Sequence, residues 1–151
     1  MTNISEPPDL SLQTRQLCFV EQGLLGFEEL LDFELSAYDP QTPFYWLRAK
    51  QDPEVAFLVV EPGCMIEDYQ FDLSEEDATH IGLNSGEEAF VLVLITVPDN
   101  PLEMTANLLG PLIFNKATGK GRQVVLAGSN YPVRFPVIAA SEEVSDAGSE
   151  S

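Results

Sequence analysis

The sequence predicts an all-β protein, an antiparallel barrel or sandwich with one short helix. Three observations lead there. Apolar, β-branched runs recur at short intervals along residues 15–138. Ten Gly and eleven Pro punctuate the chain, more than a helical bundle tolerates. Only one stretch carries helix start and stop signals.

The elements follow in order. Leu17–Glu21 opens the series, ahead of the turn-rich stretch Gly23-Leu-Leu-Gly26. Phe33–Tyr38 and Phe44–Ala49 flank Asp39-Pro-Gln-Thr-Pro43, whose prolines exclude helix and favour a turn. Val55–Val60 is a continuous apolar run ended by Glu61-Pro-Gly63. The helix begins at Ser74, an N-cap followed by acids in the first turn, with Asp77 at the capping-box position and Gly82 as the stop. Ala89–Val97 is the longest apolar run and reads as a strand covered on both faces. Gly121–Leu126 and Tyr131–Val137 complete the set. A chain of 151 residues with 44% hydrophobic content forms one domain with a real core. Residues 1–14 read as a flexible N-terminal segment, 15–138 as the folded domain, and 139–151 as a disordered acidic tail.

Charge carries the next inference. The formal net charge is -18, beyond the magnitude of about 2–8 that keeps a small domain soluble. From Gln51 to Asn115 there is no Lys or Arg, while 13 of the 25 acids fall there. Such a surface repels phosphate backbones, which argues against direct nucleic-acid binding. It also accelerates encounter with a basic partner. No apolar run is long enough for a membrane helix, and the first residues do not read as a signal peptide. Cys18 and Cys64 stand in no metal or redox spacing and read as ordinary thiols of a cytoplasmic protein.

A search for catalytic chemistry finds no motif. The single histidine, His80, falls near the end of the acid-rich helix, where a cation complements the helix dipole. It has no second His or neighbouring Cys for zinc, and no Gly-x-Ser-x-Gly turn for a hydrolytic triad. Glu67, Asp68, Asp72, Glu75, Glu76 and Asp77 lack the calcium-loop spacing and read as a strand end plus a helix first turn. Thr118-Gly-Lys-Gly-Arg122 lacks the leading Gly and the trailing Ser or Thr of a phosphate loop. The sequence therefore predicts no enzyme, no catalytic residue, no cofactor and no metal.

Met104–Asn115 is uncharged, yet holds Asn107, Gly110 and Pro111 among apolar residues. Two readings are open. The segment is a core strand with one kink, or a sheet edge where Pro costs no ladder bond, and both hold if alternate side chains point in and out. In the second case Thr105, Asn107 and Leu108 face a partner.

Seven blocks then combine into a resemblance. Gly23-Leu-Leu-Gly-Phe-Glu28, Pro43-Phe-Tyr-Trp-Leu47, Asp52-Pro-Glu-Val-Ala-Phe57, Met104-Thr-Ala-Asn-Leu-Leu109 with Pro111, Asn115, Gly121-Arg-Gln-Val-Val-Leu126 and Tyr131-Pro132 occur in the order seen in the FliW family of flagellar assembly factors, which the chain resembles over roughly 15–137. Gly110 stands where that family is expected to carry Ala. The resemblance implies a small antiparallel β-barrel without enzymatic activity, acting in the cytoplasm. It implies binding to the translational regulator CsrA, relieving repression of flagellin messenger RNA, and binding to flagellin. A protein whose main task is to hold flagellin is the alternative, and a barrel enclosing a small ligand is a third. The partner-binding residues expected on this view are Met104, Thr105, Asn107, Leu108, Leu109 and Pro111, with Glu67, Asp68 and Asp72 beside them.

Overall fold

A computed structural model of the chain describes residues 2–4 and 14–137. Eleven strands and one helix are present among them. They are β1 (Thr2–Ile4), β2 (Arg15–Phe19), β3 (Asp32–Ala37), β4 (Phe44–Ala49), β5 (Ala56–Val60), β6 (Phe71–Leu73), α1 (Glu75–His80), β7 (Ala89–Thr96), β8 (Thr105–Ala106), β9 (Leu112–Asn115), β10 (Lys120–Gln123) and β11 (Phe135–Pro136). Three single turns of 3-10 helix sit between them.

Strands β7, β5, β4, β3, β2, β10 and β9 pair in that order, and β9 returns to β7, so seven strands close a barrel. Every pairing in it is antiparallel except one: β10 runs parallel to β2, with Lys120 opposite Cys18 and Gly121 opposite Phe19. The all-β, one-helix expectation therefore holds, with a parallel seam added. Strands β8 and β11 extend the sheet from β7, while β6, among the described residues, pairs only with β1.

Alternation along each strand builds two cores. The inner core fills the barrel with Leu17, Phe19, Phe33, Leu35, Leu47, Val59, Phe90, Leu92 and Phe114. Burying each of these large side chains contributes about 1.5–3 kcal/mol. The ring of Phe114 lies across Gly121 on the neighbouring strand, where any Cβ would overlap it. The outer core lies on the far side of β7 and β9. There Ala89, Val93, Ile95 and Ile113 meet Tyr69, Phe71, Leu73, Ala78 and Ile81 from the segment that follows β5. The β7 run is apolar throughout because its odd positions feed one core and its even positions the other.

Helix α1 starts as its sequence dictates. The Ser74 hydroxyl accepts from the Asp77 amide at 3.1 Å, and Glu75, Glu76 and Asp77 occupy the positive end of the helix. Gly82 turns the chain with φ 76°. Asn115, buried at the end of β9, donates to the Ile81 carbonyl at 2.8 Å and accepts from the Ala117 amide at 2.8 Å. One satisfied polar side chain thus ties the helix end to the barrel.

The N-terminal expectation is corrected in part. Thr2–Ile4 form a strand against β6, and Ile4 is 2% exposed within the outer core. A lone isoleucine before a polar, proline-bearing stretch shows no periodicity, so this strand had no sequence signal. Residues 1 and 5–13, and the tail from 138 onward, lie outside the described residues. The expected strand over Tyr131–Val137 shrinks to Phe135–Pro136. Tyr131 is instead held by Gln70, and the Pro132 carbonyl accepts from the Leu108 amide.

Candidate partner-binding site

The segment Met104–Asn115 lies along one edge of β7 as two strands in different registers. Strand β8 sets Thr105 opposite Thr96 and Ala106 opposite Ile95, and β9 sets Leu112 opposite Leu92. Three steps along β7, from 95 to 92, face six along the partner, from 106 to 112, so three extra residues leave the ladder. The residues that seemed misplaced in the sequence build this bulge. Asn107 pairs its amide with the Leu94 carbonyl, and its side-chain Oδ1 accepts from the amides of Leu109 at 3.0 Å and Gly110 at 2.9 Å. Gln123 donates to the Gly110 carbonyl at 3.1 Å, and Pro111 offers its carbonyl to Val124.

The bulge sorts the expected site residues. Leu108 points into the outer core at 0% exposure. Its amide donates to Pro132, and its carbonyl accepts from the Tyr69 hydroxyl at 2.7 Å. Pro111 is buried as well. Both are therefore corrected from surface to interior, and the segment is no free sheet edge, because β8 is flanked by β7 and β11 and β9 by β7 and β10. Met104, Thr105, Asn107 and Leu109 remain half-buried and reach the surface.

Glu67, Asp68 and Asp72 are exposed. Asp68 turns the chain with φ 60°, and Asp72, on β6, accepts from the Asn3 side chain at 3.1 Å. Tyr69 fastens this acidic turn to the bulge through its bond to Leu108 and its ring contact with Tyr131, 4.5 Å between centroids. Burial, with Tyr131 beside it, pushes the Tyr69 hydroxyl well above the ordinary tyrosine range, so it stays a hydrogen-bond donor. The two halves of the expected site are thus neighbours, joined by a residue that sequence reasoning did not select. Among the described residues no group of three His, Cys, Asp or Glu is placed to hold a metal ion, and no helix is long and apolar enough to cross a membrane.

The chain and its fold match known proteins. The family model described as "FliW protein" matches residues 6–137. The chain belongs to the FliW family. It is 36% identical over 137 residues to the flagellar assembly factor FliW of Leptospira biflexa, covering 90% of each chain. It is 32% identical to that of Leptospira interrogans serovar Lai, covering 87% of this chain and 89% of the relative. A crystal structure of the flagellar assembly factor FliW superposes with a TM-score of 0.73 at 29% identity, covering 80% of this chain and 84% of the other.

Two further features of this FliW barrel escaped the sequence reading. The turn after β2 displays Leu25 at 60% and Phe27 at 41% exposure, with Phe27 edge-on to Phe57 at 5.1 Å. The Leu25 amide donates to Gln123, the residue that also braces Gly110. The Gly-Leu-Leu-Gly stretch was the available signal, since Gly26 takes a φ of 90° that favours glycine. His80 stands in the last turn of α1, as read, and also meets Arg122 through Nδ1 at 2.5 Å and Glu21 through Nε2 at 3.2 Å. Arg122 also reaches Asp77 at 3.2 Å. This cluster fastens α1 to β10 and to the β2 turn.

Proposed function

We propose that this FliW-family chain is a non-enzymatic flagellar assembly factor of the cytoplasm. It binds the basic translational regulator CsrA, relieves repression of flagellin messenger RNA, and is drawn off by flagellin. The observation that carries the reading is the exposed acidic turn Glu67–Asp72 beside the Asn107 bulge, within a stretch from Gln51 to Asn115 that contains no Lys or Arg. A regulator that grips RNA must present cationic groups, and such a surface attracts them. Met104, Thr105, Asn107 and Leu109 supply the half-buried groups next to the acids. The alternative task, holding flagellin, draws support from Leu25 and Phe27, large apolar side chains left in solvent on a turn. The test is capture from lysate by the purified protein, with and without added flagellin, and identification of what is bound. CsrA is expected alone and should decline as flagellin is added. Recovery of neither protein overturns both readings.

A further inference from the structure

Three hydrogen bonds run head to tail from the exposed turn after β2 to the bulge. The Leu25 amide donates to Gln123 Oε1 at 3.0 Å, Gln123 Nε2 donates to the Gly110 carbonyl at 3.1 Å, and the Gly110 amide donates to Asn107 Oδ1 at 2.9 Å. Every link between Leu25 and Asn107 is an amide group that accepts at one end and donates at the other. All three bonds therefore point the same way, and each polarises the next. The Gln123 amide has one workable orientation. Turned over, it would set its NH2 against the Leu25 N–H and its oxygen against the Gly110 carbonyl.

The turn has no other polar tie to the barrel. The Phe27 amide donates to Leu24, the Gly23 amide to Glu28, the Gly26 amide to the Glu28 carboxylate and the Leu30 amide to Phe27, all within the turn. Leu25 is the second residue of the tight turn Leu24–Phe27, so its own N–H is left over. Among the described residues its bond to Gln123 is the only hydrogen bond that leaves residues 23–30. Surface groups lie at both ends of the chain: Leu25 and Phe27 are exposed at one, and Asn107 and Leu109 are half-buried at the other.

We propose that Gln123 is a positioning residue that couples the turn to the bulge, so that a molecule engaging one end changes the affinity of the other. A partner that draws the turn away takes the Leu25 donor from Gln123, and the bulge loses its brace. A partner that fixes the bulge returns the same coupling to the turn. Only the names of the two partners rest on the reading above, in which flagellin meets Leu25 and Phe27 and CsrA meets the bulge.

Amide exchange in the full chain tests the coupling. Leu25→Pro deletes the donor and keeps the turn, because proline suits the second position and Leu25 has no positive φ. It is expected to speed exchange of the Leu109 and Gly110 amides about three- to tenfold, the worth of one net hydrogen bond. Gln123→Met keeps the side-chain length without either polar atom and should act alike, and the double variant should exchange no faster than either alone. The β3–β4 ladder should keep its wild-type rates, which a general loss of stability would not allow. The proposal is overturned if Leu25→Pro leaves Gly110 at the wild-type rate, if the two substitutions add, or if the ladder accelerates equally. Should Leu25→Pro fail to fold, Gln123→Glu decides. Its carboxylate still accepts from Leu25 but faces the Gly110 carbonyl, so Gly110 should exchange fast while Leu25 stays protected, and a wild-type rate at Gly110 refutes the coupling. Added flagellin should shift the Gly110 amide resonance in wild type but not in Gln123→Met, and equal shifts also refute it. Flagellin that does not bind at all sinks the partner reading, while the exchange rates still decide on the chain of bonds.

Discussion

Replacing Asn107 with alanine removes the side chain that accepts from two amides of the bulge between β8 and β9. Its Oδ1 accepts from the Leu109 and Gly110 amides at 3.0 and 2.9 Å. Each such bond contributes about 0.5–1.5 kcal/mol net. The site is half-buried, so water replaces part of the loss, and the expected cost is about 1–2 kcal/mol. For a domain of this size each kcal/mol lowers the melting temperature by about 2–4 °C, which places the drop at about 2–8 °C. Thermal melts and urea midpoints at unchanged slope measure it. Asn107→Asp keeps an acceptor for both amides and is expected within about 0.5 kcal/mol of wild type. The reasoning fails if Asn107→Ala melts with wild type. In that outcome, if partner affinity collapses as well, Asn107 spends its hydrogen bonds on another molecule.

Leu108→Ala should cost about 2–5 kcal/mol, and Leu108→Asp should leave little folded protein, because the side chain is at 0% exposure within the outer core. Soluble yield and circular dichroism decide this, and a folded Leu108→Asp protein would place residue 108 on the surface. Burial, with Glu61 nearby, pushes the Cys64 thiol up to about 11 from an ordinary 9.0. The folded state therefore holds this proton more tightly than the unfolded one, and the associated stability, present below about pH 9, declines as pH rises towards 11. Cys64→Ala should flatten that part of the stability curve, and iodoacetamide should modify native Cys64 more slowly at pH 9 than the denatured chain; equal rates would contradict the burial argument. Association with the basic partner should slow steeply with salt, as exposed charges are screened beyond about 8 Å at physiological ionic strength; a flat rate means that the acids steer nothing.

What could be read in advance follows from how local each signal is. The Ser74 cap, the Asp39–Pro43 turn and the β7 run depend on neighbours a few residues away, and all three stand where the sequence put them. The both-faces-covered reading of Ala89–Val97 was available because no polar residue precedes Thr96 in it. Strands of two or three residues, β1, β6, β8 and β11, are too short to show a period. The Asn107 bulge was visible only as an anomaly, since its meaning depends on β7 holding two partners in different registers. For the same reason Leu108 was misplaced: the extra residues restart the alternation that would have shown which way it points. The exposure of Glu67, Asp68 and Asp72 was legible from their chemistry, whereas their placement beside the bulge rests on Tyr69 reaching across the fold.

The parallel seam sets the order in which the barrel can come together. Strands β2 to β5 are successive in the chain, and each antiparallel turn between them can zip with little loss of chain entropy. The β2–β10 contact instead joins positions about a hundred residues apart, through only two register pairs. It must wait until the β9–β10 hairpin is delivered against β7, and so closure is the slow, late event. The same step run backwards is the easiest opening of the ring. The amides of Cys18 and Val20, which donate across the seam to Gly119 and Gly121, should exchange with solvent ahead of those on the β3–β4 ladder. Their exchange rate would then clock the breathing of the whole barrel.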